Sequence, residues 1–382
     1  MVFLTQKASM WIELSPDLEN IDFAADNDAL AALENILSSV FRGEHVLVGN
    51  RKTLESFQKA ALSGHSKAVL RSVINRLPEL LSLSELQVFK VTLRAELDIT
   101  QQPEKNHWHV PLRHFSNVAL VPASVLCENL RDASALLGCA THFHIEFNPR
   151  GLRISLTEDG GGGAEIAPTL EKKMRDARQF VMALTDTDRS HPDAAACLPT
   201  QKCEAIADKG SWVAAHVPLP CREIENILPI NLLSDSTQAS DARFATSDQL
   251  QYLQKNVFEN STIHLWADLK LGTKLSLCCE SNVDQTERDF WRKASERIPH
   301  PFKAGKDCAI GKCPKIQGQK DCECLLAPGL GEKMLERFLE HTQTISMHKQ
   351  VERIRTSSNS ELWFELGKKV ANWGIALEKL RA

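Results

Sequence analysis

The 382-residue chain has no run approaching the roughly 20 consecutive apolar residues of a membrane helix, so no helical membrane span is expected. The segment Met1–Leu14 is interrupted by polar residues and Glu13 and lacks the pattern of a signal peptide. There is no Gly-x4-Gly-Lys-Ser/Thr loop, so any ATPase would be a separate chain. Nor is there an excess of basic charge: 45 Lys and Arg against 49 Asp and Glu leave a net charge of −4. That removes a global nucleic-acid footprint while leaving a local basic groove open. Aromatic residues are 6% of the chain, and tyrosine occurs once, as Tyr252 in a Gln-rich helical stretch.

What is present is ordinary for a globular protein: 43% hydrophobic residues and enough length for two or three domains. Eleven cysteines without a secretion pattern point to a reduced cytoplasm, with some thiols free and some on metal. Four regions are expected: an N-terminal α/β or helical unit over 1–115, a core over 116–232, a strand-containing extension over 233–298, and a Cys-rich loop with helices over 299–382.

In the first region, Asn27–Phe41 has helical periodicity and His45–Gly49 reads as a short strand. A helical pattern runs from Lys52 to Leu77, where Pro78 is expected to stop it, and residues 87–93 alternate as a strand. Asp22, Asp26 and Asp28 suit a helix start. His107-Trp108-His109, if extended, sets two imidazoles on one face, in either a structural or a ligating role. Residues 101–105 read as a linker.

The core carries two acidic strand ends. An apolar stretch broken by Pro122 leads through Ser124–Cys127 into Glu128-Asn129-Leu130-Arg131-Asp132, followed by a helix over 133–140. Glu128 is thereby presented at the carboxyl end of a strand, with Asp132 in the first helical turn. Then Phe180–Leu184, five apolar residues, read as a buried strand released into Thr185-Asp186-Thr187-Asp188-Arg189. Open α/β sheets keep their ligands at that edge, and hard cations such as Mg²⁺ take carboxylate oxygens. Between them, 142–147 and 152–156 read as strands, 160–163 as a glycine turn and 166–179 as a helix.

Glu128 with Asp132 resembles the first motif of the TOPRIM domain, a Glu-Gly-x-x-Asp after a strand, with Asn129 in place of the glycine. Asp186-x-Asp188 resembles the second motif of that family. After a further strand over 212–219 comes Arg222-Glu223-Ile224-Glu225-Asn226, similar to a run in the OLD-family and phage-defence TOPRIM nucleases. It reads either as an extended segment with Glu223 and Glu225 on one face or as a helix start; the resemblance gives Glu225 a role at the site. The resemblance spans about 118–230 and implies a Rossmannoid sheet flanked by helices. It further implies Mg²⁺ or Mn²⁺ held by Glu128, Asp186 and Asp188, and cleavage of DNA or RNA phosphodiesters in anti-phage defence.

Further on, 234–247 reads as a polar loop or lid. Ile263–Lys270 and Lys274–Leu277 read as two strands, which would set Asp268 and Lys270 on one face with Lys270 able to meet phosphate charge. Cys308, Cys313, Cys322 and Cys324 could hold one structural Zn²⁺, with His300 able to replace one ligand, or could be plain thiols. Helices over 332–344 and 362–380 would pack through Trp363, Phe364, Val370 and Trp373. A topoisomerase is set aside, because Tyr252 lacks the context of a nucleophile. Two readings stand: a Mg²⁺-dependent nuclease checked by a separate ATPase or other regulatory partner, unless the outer regions only complete the fold or make a homodimer, and a non-catalytic binding or regulatory subunit of a defence complex.

Overall fold

The computed structural model describes residues 10–82, 89–96, 98–101, 107–117, 120–147, 152–239, 247–259, 263–278, 283–298, 300–304 and 323–378. The chain is α/β, with parallel-strand sheets flanked by helices, and divides into two compact units. Unit one is Met1–Ala183, Cys203–His216 and Glu365–Ala382; unit two is Leu184–Lys202 and Val217–Phe364.

Unit one opens with β1 (Met10–Leu14), α1 (Asn27–Phe41), β2 (Val46–Gly49), α2 (Arg51–Phe57) and α3 (Gly64–Ser82). β3 (Phe89–Arg94), β4 (Thr100–Gln101) and β5 (His107–Pro111) complete a sheet in the order β2-β1-β3-β5-β4. All of its pairs are parallel except β4 with β5. α1 starts where Asp26 Oδ1 accepts the N–H of Ala29 at 2.9 Å, satisfying one of the donors that a helix start leaves unpaired. It buries Ala29, Ala32, Leu33, Ile36, Leu37 and Val40 at helical spacing. Gly49 pairs with Leu14, and a Cβ there would lie 3.1 Å from the Leu14 carbonyl oxygen, a tight contact that a side chain could make only if β1 gave way by a few tenths of an ångström. The pattern over 52–77 is two helices rather than one, and Pro78 lies inside α3 without ending it. A proline costs a helix one hydrogen bond, and here the helix continues for only four residues beyond it.

The second sheet uses β6 (Ala123–Cys127), β8 (Leu156–Gly160), β9 (Val181–Thr185) and β10 (Ala214–Pro218), in the order β10-β9-β6-β8. α4 (Leu130–Phe147), the short β7 (Leu152–Ile154), α5 (Ile166–Asp176) and α6 (Leu198–Ala207) lie between these strands in the chain. β6 pairs in parallel with β8 on one side and β9 on the other, so the strand order reverses between β6 and β9. Every residue of β6 and β9 is buried, as expected of parallel strands covered on both faces. The strand expected over 142–147 is instead the end of α4. Leu136, Cys139, Ala140 and Phe143 recur at helical spacing there and are buried, which outweighs the cost of Gly138.

Unit two contains α7 (Ile230–Ala239), α8 (Ser247–Leu253), the antiparallel pair β11 (Thr273–Lys274) and β12 (Leu325–Ala327), α9 (Gln285–Ser295), α10 (Met334–Thr344) and α11 (Met347–Arg355). Residues 234–239, expected in a loop, belong to α7, while 240–246 lie outside the described residues. α12 (Ser360–Trp373) is shorter than the helix expected over 362–380, because the chain next forms β13 (Ile375–Leu377), antiparallel to β7. Trp363, Val370 and Trp373 are fully buried, and Trp363 meets Phe338 edge-on at 6.1 Å. No helix among the described residues is long and apolar enough to cross a membrane.

Candidate functional site

β9 ends at Thr185, and the Asp186–Asp188 turn that follows is fastened from several directions. The hydroxyl of Thr200 on α6 hydrogen-bonds the Asp186 carbonyl and lies 2.8 Å from Thr185 Oγ1, while Cys197 Sγ is 3.3 Å from the same carbonyl. Thr187 Oγ1 donates to the Cys221 carbonyl at 2.5 Å, and the N–H groups of Thr187 and Asp188 share the Arg222 carbonyl at 2.9 Å. Asp188 is exposed and takes φ = 51°, a left-handed conformation that short polar side chains tolerate better than most.

Cys221-Arg222-Glu223 leads into a 3₁₀ turn, Ile224–Ile227, so the acidic run is a helix start rather than an extended segment. Glu223 is its N-cap, and Asn226 Oδ1 accepts the Glu223 N–H at 2.9 Å. Asn226 also donates through Nδ2 to the carbonyls of His264 (2.7 Å) and Ala267 (2.8 Å). These bonds, with Arg222 N–H donating to Leu265 O at 2.8 Å, draw 263–267 into turns where a strand was expected. The partner strand is likewise reduced to Thr273–Lys274, followed by a 3₁₀ turn over 275–278. Asp268 and Lys270 therefore do not share a strand face. Asp268 Oδ1 accepts the N–H groups of Lys270 (3.0 Å) and Leu271 (2.7 Å), an Asx turn that mounts the lysine.

Asp186 Oδ1 accepts the Ile224 N–H at 3.0 Å, placing a carboxylate at the amino end of the 3₁₀ turn. Lys270 Nζ lies 3.1 Å from Glu225 Oε1 and 3.2 Å from Glu223 Oε2. Arg222 is more loosely placed, 3.8 Å from Glu223 and 3.7 Å from Asp268. Three carboxylates (Glu223, Glu225 and Asp268) thus pair with two cations, and Asp186 is tied to the same 3₁₀ turn through the Ile224 N–H. Burial holds the Glu225 carboxyl above its usual range, despite the opposing charge of Lys270. Burial works against the Lys270 ammonium too, but Glu225 and Glu223 together outweigh it and raise its pKa. The Cys221 thiol is pushed well up, by burial first and then by the charges of Asp186, Glu225 and Glu223.

The first acidic motif lies in unit one. Glu128 follows β6, and its carbonyl accepts the N–H of Gly163 at 2.9 Å. Asn129, where the family pattern has glycine, caps α4: its Oδ1 accepts the N–H groups of Arg131 (2.9 Å) and Asp132 (3.1 Å). Its Nδ2 donates to Asp132 Oδ2 at 2.5 Å, and Asp132 is buried. A helix cap accounts for the asparagine.

The donor chemistry of unit two suits a hard cation, since it offers carboxylate oxygens and Glu225 Oε2 is buried with no hydrogen-bond partner. As arranged, however, no group of three or more His, Cys, Asp or Glu among the described residues could hold a metal ion. Of the expected zinc ligands, Cys308, Cys313 and Cys322 lie outside the described residues, and Cys324 is buried. Tyr252 Oη lies 2.6 Å from the His300 carbonyl and 2.9 Å from that of Leu326, and burial pushes its pKa up to about 12.

On β5 the rings of His107 and His109 lie 5.0 Å apart on one sheet face. Thr92 Oγ1 is 3.0 Å from Glu13 Oε2 and 2.8 Å from His107 Nε2. The carboxylate can only accept, so the hydroxyl donates to it and His107 carries its proton on Nε2.

Reading the residues alone passed over Thr200 and Cys197 and gave Asn226 no role of its own, yet all three fix backbone. Only the Glu-x-x-Asn spacing of a capping box could have signalled one of them. No family model matches the chain, and comparison with curated proteins and with solved structures finds no match.

Proposed function

We propose that this protein is a cytoplasmic, metal-dependent nuclease of the TOPRIM type that hydrolyses phosphodiester bonds, in DNA before RNA, as part of anti-phage defence. The observation that carries this reading is the excess of carboxylate over cation at the carboxyl end of a buried parallel strand, with one buried Glu225 oxygen left unpartnered. Open α/β sheets bind ligands where the strand order reverses, and here it reverses between β6 and β9, the strands preceding Glu128 and Asp186.

Glu128, Asp186 and Asp188 would hold Mg²⁺ or Mn²⁺, which when bound would activate water and neutralise a leaving oxygen. Thr200, Cys197 and the Ile224 N–H keep Asp186 in one orientation. Asp132 supports the start of α4 through Asn129. Lys270 would meet phosphate charge, and Glu225 would hold the lysine or the metal. A separate ATPase or other regulatory subunit would restrain the activity, and the cysteine loop would carry a structural Zn²⁺.

A second reading is favoured by one observation: Lys270 already ion-pairs with both Glu223 and Glu225, and no ready three-ligand metal group is present among the described residues. In that reading the chain is a non-catalytic subunit that binds nucleic acid or a partner. Incubating the purified chain with supercoiled plasmid and with end-labelled RNA, in Mg²⁺, in Mn²⁺ and in EDTA, separates the two. Divalent-dependent cleavage that Asp186→Asn removes is the expected result. Metal-independent cleavage, or cleavage that survives the substitution, would point to a contaminating enzyme.

A further inference from the structure

The ammonium of Lys270 lies between the carboxylates of Glu223 and Glu225. It touches one oxygen of Glu225 and one of Glu223. Glu225 is only 3% exposed, and its other oxygen is buried with nothing donated to it. An unmet buried acceptor costs about 1–3 kcal/mol, and more when charged, so the ion pair leaves this carboxylate incompletely satisfied. The second cation of the cluster does not make up the difference, because Arg222 stands 3.7 Å or more from its carboxylates. A divalent ion brings twice the charge and approaches oxygens to about 2.1 Å, closer than any ammonium.

The backbone beneath Lys270 is clamped while its side chain is not. Leu330 N–H donates to Leu269 O at 2.8 Å and Gly331 N–H to Lys270 O at 2.9 Å. Gly329 abuts this turn so closely that a Cβ on it would overlap the Lys270 carbonyl oxygen. The Lys270 side chain is 30% exposed, so its flexible stem has a path to solvent that the Glu225 carboxylate, at 4%, lacks.

We propose that Lys270 is an exchangeable counter-ion: it holds Glu223 and Glu225 together at rest, and a divalent cation taken up by these carboxylates displaces it. The displaced ammonium is then available to a phosphate group. Resting Lys270 and bound cation exclude one another, so the site exposes its phosphate-binding lysine only when loaded. The use of the released lysine rests on the nuclease reading; the exchange itself does not.

The test uses the full chain and no cleavage assay. Mn²⁺ is titrated into wild type, Lys270→Met and Lys270→Gln, with unbound Mn²⁺ counted by electron paramagnetic resonance. Removing the competing ammonium should tighten Mn²⁺ binding by roughly 10-fold, within the range usual for coupled sites, and Glu225→Gln should weaken it. In parallel, acylation of Lys270 in the wild-type protein is followed by mass spectrometry with and without Mn²⁺. Protection without the ion and several-fold faster labelling with it are expected. Unchanged or weaker Mn²⁺ binding in folded Lys270 variants, or labelling indifferent to Mn²⁺, overturns the exchange. Should the variants not fold, wild-type labelling alone decides. A chain that exchanges Lys270 for Mn²⁺ yet cuts nothing keeps this inference and removes the nuclease reading; cleavage with an indifferent Lys270 does the reverse.

Discussion

The Asp186 carboxylate and the Ile224 backbone N–H, 38 residues apart, are joined by a 3.0 Å hydrogen bond. Through it one acidic side chain both ends a strand and caps the turn that carries Glu225. The two roles of Asp186, charge and cap, can be separated by substitution. Asp186→Asn keeps an oxygen that can accept from Ile224, whereas Asp186→Ala removes it. Cleavage should fall to background in both, as it should in Glu128→Ala. Thermal melts should show Asp186→Asn close to wild type and Asp186→Ala lower by about 1 kcal/mol, the usual worth of a cap. Wild-type cleavage by the asparagine variant would exclude Asp186 from the chemistry.

Thr200 tests whether the turn must be held rigidly. Its hydroxyl is buried against the Asp186 carbonyl and Thr185 Oγ1. Thr200→Val preserves shape and deletes those bonds, so cleavage should drop roughly 10- to 100-fold, as when an outer-shell partner of a metal ligand is lost. Thr200→Ser, which keeps the hydroxyl, should restore most of it. If serine and valine behave alike, the hydroxyl has no positioning role.

The parts of this architecture that depend on local periodicity were legible in the sequence. Asn27–Phe41 is a helix over the full range expected, and the strand expected over Phe180–Leu184 is found one residue later, as the buried Val181–Thr185. The misjudged segments are those where a distant group decides. Ile263–Lys270 alternates like a strand, but Asn226 and Arg222 take the carbonyls that a strand would offer to a neighbour. Residues 142–147 look strand-like alone and are helical because α4 continues its buried face through Phe143. The partnership of Lys270 with Glu223 and Glu225 was not legible at all, since it joins segments more than 40 residues apart.

Acid should weaken unit one before it reaches the carboxylates. His45 is buried with its ring 5.6 Å from that of Phe180; burial pushes its pKa from 6.5 down to about 4, opposed by the Val121 backbone and aided to a lesser degree by the charge of Arg42. Between those values the unfolded chain binds a proton that the folded chain does not, so stability rises with pH across the window and is lost on acidification. The contribution is on the order of 3 kcal/mol, complete by about pH 4. His107 and His216, also depressed to about 4 chiefly by burial, act in the same direction. Urea titrations across this window should show a shallower pH dependence for His45→Phe than for wild type. Parallel curves would remove His45 as a cause.

Cys324 gives the zinc expectation its one structural foothold. Its thiol is buried at the start of the segment that pairs β12 with β11, and Leu275 N–H donates to its carbonyl at 3.0 Å. A structural Zn²⁺ shared with Cys308, Cys313 and Cys322 would tie the 305–322 stretch to this strand and contribute its binding free energy to folding. Protein purified without chelators should then contain one equivalent of zinc, and a strong chelator should lower its melting temperature. Cys324→Ser alone does not decide the matter, because loss of a buried thiol destabilises with or without a metal. The paired measurement is Cys313→Ser, whose effect on melting should match that of chelation and vanish in chelated protein. Zinc-free protein with an unaltered melt in the presence of chelator would leave the four cysteines as plain thiols.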